Sequence, residues 1–265
     1  MRKADKIKLS VIVGVSLLAF VVGCVDTSVQ PLPTSINYKS EVNIVNLTTG
    51  AGAATFTVYN ATVNQDSLAN NTLFAPIDYS SIAFSGTADM GSALPASTYQ
   101  EVPSGSKAIV ASYANIPAYK DTFRLAFDSQ YKMSVFIFGD TSDGGRTYYK
   151  SLERYTWQSP GSSDGAALFP SGESAFRFVN GCPDASFLQV QIYAAANDSL
   201  IDFANADYKE GLSYYQLAAG NYYFLIVGDN NVYDSVAVSM GSMKRYTIVS
   251  YDNNANLQSK VLTDD

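Results

Sequence analysis

The sequence predicts an all-β chain folded as two antiparallel β-sandwich domains in series. Three observations carry this. Apolar and polar residues alternate with period two through several short segments. Those segments are rich in Val, Ile, Phe and Tyr and are bounded by Gly, Asn, Asp and Ser. The second half of the chain also repeats the first.

The alternation is clearest in LQVQIY, where Leu188, Val190 and Ile192 are interleaved with Gln189, Gln191 and Tyr193. In the first half, Ala54, Phe56 and Val58 take the apolar positions and Thr55, Thr57 and Tyr59 the others. A strand with one face on a core reads this way, because successive side chains point to opposite faces. Further candidates are 42–46, 123–127, 132–138, 176–180, 222–228, 235–240 and 245–251. No segment shows a convincing helical period. Short strands with turn signals between them, in two copies of about 100 residues, point to immunoglobulin-like sandwiches.

The repeat aligns Val45-Asn46 and Tyr59 with Val179-Asn180 and Tyr193, without a gap. Further on, Tyr99-Gln100 is matched to Tyr215-Gln216, and Gly105 to Gly220. Asp121-Thr122-Phe123 is matched to Asp234-Ser235-Val236, and KMSVFIF (132–138) to RYTIVSY (245–251). Segments 147–157 and 256–262 are the expected closing strands. Between the tyrosine landmarks the first copy is longer, which places an inserted loop at 80–97.

The N-terminus differs in kind. Arg2, Lys3, Lys6 and Lys8 precede an apolar run from Leu9 to Val22, the pattern of a secretory signal. The run ends in Val21-Val22-Gly23-Cys24, which resembles the lipobox of bacterial lipoproteins, as in Bacteroidetes-type bacteria. The resemblance implies cleavage after Gly23 and acylation of Cys24, and so a lipid-anchored protein of the cell envelope, placed at the outer membrane. No later apolar run approaches the roughly 18 residues of a helical span. The expected organisation is a signal peptide at 1–23, a polar, proline-containing tether at 24–37 and a first sandwich at 38–158. A Gly/Pro/Ser-rich linker at 159–173 then leads to a second sandwich at 174–265.

Composition excludes several function classes. The net charge is −7, and removing the basic signal makes the rest more acidic still. Such a body repels phosphate backbones, which argues against nucleic acid as a partner. The 2 Cys and 0 His leave no disulfide framework once Cys24 is acylated, no Ser-His or Cys-His pair and no His/Cys metal site. No cofactor and no metal are expected. Asp140 and Asp143, and the stretch 228–234, hint at calcium loops but lack the ligand spacing and closing Glu.

FRFVNGCPDASFLQVQIYA (176–194), YYQLAAGNYYFLIV (214–227) and KRYTIVSY (244–251) together resemble the bacterial domain of unknown function 4397. The resemblance rests on Val179, Asn180, Pro183, Asp184, Ala185, Tyr193, Tyr215, Gly220, Tyr246 and Thr247. In the first half, Thr48-Thr49-Gly50-Ala51 stand where Cys182-Pro183-Asp184-Ala185 do. The resemblance implies a secreted or surface β-sandwich, often in tandem, without an agreed activity. Cys182 then occupies a small-residue slot in a turn. A reactive thiol would need a positive neighbourhood, and Arg177 is the one basic residue close by in sequence.

The 19 Tyr suit adhesion or sugar stacking, as well as ordinary strand propensity. The doublets at 148–149, 214–215 and 222–223 place one ring on each face of a strand. Trp157 is read as a core or interface residue. In the expected loop 80–97, Ile82, Phe84, Met90 and Leu94 are the candidate partner-binding residues. The functional expectation is a non-catalytic envelope lipoprotein presenting a binding or adhesion surface to a glycan or an envelope protein. The alternatives are a structural subunit of a surface fibre and a hydrolase using paired carboxylates such as Asp202 and Glu210.

Overall fold

The computed structural model describes residues 39–61, 77–96, 99–128, 131–140, 146–155 and 171–264. The signal segment, Cys24, the tether, Trp157, the turn at 141–145 and linker residues 159–170 lie outside the described residues. The described chain is all-β. The first half comprises β1 (Lys39–Thr49), β2 (Ala54–Ala61), β3 (Ile77–Ala88), β4 (Ser92–Leu94), β5 (Gln100–Pro103), β6 (Gly105–Tyr113), β7 (Lys120–Phe127), β8 (Tyr131–Asp140) and β9 (Arg146–Tyr155). The second comprises β10 (Glu173–Asn180), β11 (Leu188–Ala194), β12 (Ser199–Ala206), β13 (Tyr215–Ala218), β14 (Gly220–Val227), β15 (Tyr233–Met240), β16 (Arg245–Tyr251) and β17 (Gln258–Thr263).

Each half is a sandwich, and the two have the same strand order. The first pairs a sheet β3-β2-β6-β7 with a sheet β4-β1-β8-β9, to which β5 adds on β1. The second pairs β12-β11-β14-β15 with β13-β10-β16-β17. Most neighbours are antiparallel, but β1 lies parallel to β8 and β10 parallel to β16. Parallel neighbours require a crossover, here the intervening strands of the opposite sheet.

The same asparagine shapes both halves. Asn46 Nδ2 donates to Ala88 O at 3.1 Å, and its Oδ1 accepts from Thr48 N at 3.2 Å. Asn180 Nδ2 donates to Ala206 O at 2.9 Å, and its Oδ1 accepts from Cys182 N at 2.8 Å. Both are fully buried, so each amide side chain spends its polar groups on backbone that the strands leave unpaired.

The pairing register corrects two details of the correspondence expected between the halves. Gln100 lies opposite Val42, and Tyr215 lies opposite Phe176, which is the matching position. Tyr99 therefore corresponds to Tyr214 rather than Tyr215. The asparagine contacts also match Ala88 to Ala206, so the expected loop at 80–97 is not an inserted loop: it contains most of β3 and all of β4. Its Ser, Gly and Ala content reads as a turn, but these small side chains pair across the sheet. The extra length lies in the β2–β3 connection, residues 62–76, against residues 195–198 between β11 and β12.

The four sheets stack as layers around three apolar cores. Val42, Ile44, Met133, Val135 and Ile137 point from β1 and β8 into the first sandwich, onto Phe56, Val58 and Ile109. Phe176, Phe178 and Ile248 point from β10 and β16 into the second, onto Val190, Phe224 and Ile226. The alternate residues of the same strands meet between the halves: Val45, Leu47, Phe136 and Phe138 pack with Val179, Val249 and Leu262. This shared layer explains why the inner strands are apolar on both faces, as in any strand covered from both sides. It is absent from the serial arrangement expected from the sequence. Backbones come close here: a Cβ on Gly181 would sit 2.7 Å from Ser250 O and 3.0 Å from Leu47 Cβ.

Polar contacts cross the layer too. Arg177, from β10, donates through Nε to Thr247 Oγ1 and through Nη2 to Ser134 Oγ of the first half, both at 2.8 Å. Its guanidinium stacks over the rings of Tyr214 at 4.9 Å and Phe136 at 5.7 Å. The Asp264 carboxylate, 3.7 Å away, accepts from Tyr214 and Thr247, both at 2.6 Å. Tyr99, the counterpart of Tyr214, reaches Ser134 at 2.8 Å.

Candidate binding face

The residues singled out in the sequence do not assemble into one surface. Phe84, in β3, and Leu94, in β4, pack on the first core. Leu94 lies so close to Gly86 that a Cβ there would stand 2.6 Å from it. Met90 is half-buried in the β3–β4 turn. Ile82 is the exposed member of the set, 55% accessible on β3.

Cys182 is buried and sits in the turn after β10. Its thiol donates to Asp184 Oδ1 at 3.4 Å. Burial first, and then the neighbouring Asp184 carboxylate, push its pKa up to about 12, so the nucleophilic thiolate is disfavoured. Asp184 also accepts from Asn254 N at 2.6 Å. This answers to a turn that ties two loops together. Asp202 and Glu210 have separate engagements: Tyr215 bonds to the first, and Glu210 Oε2 accepts from Asp207 N at 2.9 Å. Among the described residues, no group of three or more Asp, Glu, Cys or His could hold a metal ion.

A groove of about 330 Å³ runs along the seam between β4 and β17. Its charged lining residue, Lys260, is held by Ser92 Oγ at 2.7 Å. The groove therefore presents little chemistry beyond apolar walls.

The outward face of the sheet β12-β11-β14-β15 is different. Alternation places Leu188, Val190 and Ile192 inside and Gln189, Gln191 and Tyr193 outside. The register lines up three rows across the sheet. Asn205, Gln189, Val227 and Tyr233 form one; Phe203, Gln191, Leu225 and Ser235 the next; Leu200, Tyr193, Tyr223 and Ala237 the third. None of these outward positions is charged, in a chain where 15% of residues are. Asp202 and Asp234 have the inward parity of their strands. Asp198, in the β11–β12 turn beside the Tyr223 hydroxyl, borders the face.

The side-chain amides of three residues in these rows and one hydroxyl form a hydrogen-bonded column. Tyr193 Oη donates to Gln191 Oε1 at 2.9 Å, Gln191 Nε2 to Gln189 Oε1 at 2.6 Å, and Gln189 Nε2 to Asn205 Oδ1 at 3.4 Å. Each amide keeps a second N–H and a second lone pair for a ligand. Apolar groups flank the column. Phe203 is 57% exposed and Leu200 51% on one side. On the other, Tyr223 of β14 stacks on Tyr193 of the column, the ring centroids 4.8 Å apart and the planes 3° from parallel. The doublet 222–223 behaves as expected, since Tyr222 turns inward and donates to Ala218 O at 2.7 Å.

The matching face of the first half, on β3-β2-β6-β7, carries a ring pair of its own, Tyr59 and Tyr79 with centroids 5.2 Å apart, but lacks the amide column and the freedom from charge. Thr55 meets Thr87 and Thr57 meets Ser85 through hydroxyl pairs at 2.9 Å. Lys120 and Arg124 stand on its edge strand, and Ala108 is opposite Tyr59, where the second half has Tyr223. Sequence reading found the alternation in β11 but not the face, because the face is defined by four strands at once. A tally of charge at alternate positions in 188–194, 199–206, 220–227 and 233–240 would have signalled it.

Residues 170–265 match the family model described as Domain of unknown function (DUF4397), so the second sandwich is the part of the chain that this family covers. No curated protein matches the sequence. Among solved structures the chain is similar to the Bacillus anthracis TIE protein, at 10% identity and a TM-score of 0.21 over 81% of this chain and 33% of that one. It is similar at the same identity and score to wild-type pneumolysin, over 81% of this chain and 48% of the other. The chain thus spans a third of the first and under half of the second, and neither likeness carries an argument about function.

Proposed function

We propose that this chain is a non-catalytic, lipid-anchored protein of the bacterial cell envelope that presents the outer face of its second sandwich to a ligand. The observation that carries the reading is the uncharged aromatic and amide face of β12-β11-β14-β15. An exposed sheet face is normally dotted with charge, and a wide uncharged patch with exposed rings marks an interaction surface. The N-terminal lipobox pattern at Cys24 supports anchoring at the outer membrane. The shared strand order and the paired Asn46 and Asn180 turns support reading both halves as copies of one immunoglobulin-like unit, with the first copy diverged. The surface-fibre alternative needs an exchangeable N-terminal strand. Against it, β1 is paired on both edges, by β4 and β5 on one side and β8 on the other.

The test uses the full chain in detergent micelles and fractionated envelope glycans and proteins. Saturable retention of one fraction is expected, lost in Phe203→Asp and retained in Thr57→Asp on the first sandwich. Equal retention by both variants and the parent refutes the reading.

A further inference from the structure

We infer that the ligand of this face is a neutral polysaccharide strand; the inference rests on the binding reading above and names its ligand class. Three properties of the face select the chemistry. With no cation at its outward positions and acidic surroundings, it offers nothing to phosphate, uronate or an anionic lipid headgroup. With no carboxylate at its outward strand positions, and with the bordering Asp198 engaged by the Tyr223 hydroxyl, it offers little to a basic peptide.

The second property is the amide column. Gln189, Gln191 and Tyr193 are linked head to tail, so the two amides each have valences left that both give and take hydrogen bonds, and the Tyr193 hydroxyl can still accept. A sugar hydroxyl is likewise donor and acceptor at one atom, and successive hydroxyls along a glycan meet successive amides. A dry protein interface would have to match each of these valences with directed groups or leave them unsatisfied, at a cost for each. The third property is the flanking apolar groups, Phe203 on one side and the Tyr193–Tyr223 pair on the other. Pyranose C–H faces pack on such rings while their hydroxyl edges stay wet, the amphipathic match that makes aromatic residues suit partly hydrated ligands. The rows run from edge strand to edge strand, β12 to β15, among the described residues, so the face fits an extended chain rather than a small molecule enclosed in a pocket.

The experiment is native affinity electrophoresis of the detergent-solubilised full chain through gels holding one polysaccharide each. The neutral set is dextran, laminarin, xyloglucan, galactomannan and arabinoxylan; the acidic set is alginate and polygalacturonate. At least one neutral polymer should retard the protein, and the acidic set should not. Retardation should survive added salt, since no ion pair is involved. Gln191→Glu and Phe203→Ala should each weaken it about tenfold, and Thr57→Glu should leave it unchanged. Circular dichroism of each variant separates lost binding from lost fold, and Gln191→Asn offers a milder change if Gln191→Glu unfolds.

If no neutral polymer retards the protein while envelope protein is still retained through the face, the polysaccharide assignment fails and the binding reading stands. Dimerisation of the chain that Phe203→Ala abolishes, without retardation by any glycan, likewise overturns the assignment in favour of a second copy. If retardation occurs but ignores the face variants, the assignment fails. If neither glycans nor envelope fractions depend on the face, both readings fall.

Discussion

Phe136→Ala tests whether the two sandwiches are one cooperative body. Phe136 is fully buried in the layer between the halves. Its ring lies 6.4 Å from that of Phe138 and under the Arg177 guanidinium at 5.7 Å. Truncating a buried phenylalanine costs about 3–5 kcal/mol, the lost transfer energy plus the cavity left behind. Loss of the ring beneath Arg177 adds about 0.5–2 kcal/mol. The cavity faces β10 and β16 as much as β1 and β8, so both halves should feel it. Native-state hydrogen exchange reads this directly. The amides of Phe178 and Ile248 should exchange roughly 10³–10⁵ times faster in the variant, along with those of Ile44 and Val135. Acceleration confined to the first half, with Phe178 and Ile248 unchanged, would show that the halves are independent and refute the shared-core argument.

Gly181→Ala should destabilise by about 1–3 kcal/mol, because its Cβ would press on Ser250 O and Leu47; an unchanged thermal midpoint would show that the seam yields. Cys182 should resist thiol reagents in the native protein at pH 8 and react at once in denaturant, and Cys182→Ser should cost about 1 kcal/mol with binding unaltered. Because its thiol pKa is raised from 9.0 to about 12, its contribution to stability is complete below pH 9 and falls as pH climbs towards 12. Alkaline denaturation should therefore set in at higher pH for Cys182→Ala than for the parent, relative to each protein's stability at pH 8; coincident profiles would contradict this. Cys24→Ala should yield protein without an acyl group, released from the membrane fraction; detergent partitioning equal to that of the parent counts against the anchor.

Much of the fold was legible because strand signals are local. The segments 42–46, 54–59, 123–127, 132–138, 176–180, 188–193, 222–228, 235–240 and 245–251 lie in strands, save Gly228, which follows the end of β14. The turn role of Cys182 was legible too, since Pro183 and Asp184 beside it are turn residues. β3 was missed, because its Ser, Gly and Ala residues signal turns locally and only cross-strand partners such as Thr55 and Phe56 make it a strand. The one-residue shift between Tyr99 and Tyr214 was missed for a related reason. Both doublet tyrosines, 214 and 215, fit the alternation equally, and only the pairing with Phe176 decides which faces Arg177.

By itself, the sequence determined the all-β class, most strands and the faces of β2 and β11, because period two and turn chemistry act over a few residues. The tertiary structure alone decided which sheet backs onto which. Continuous apolar runs such as KMSVFIF say that both faces of a strand are covered, but not by what. Only with the sheets stacked do Phe136 and Arg177 find each other across the chain. Only then do the alternate residues of β11, β12, β14 and β15 come together as one uncharged face, since a surface shared by four strands is a property of their register and not of any one of them.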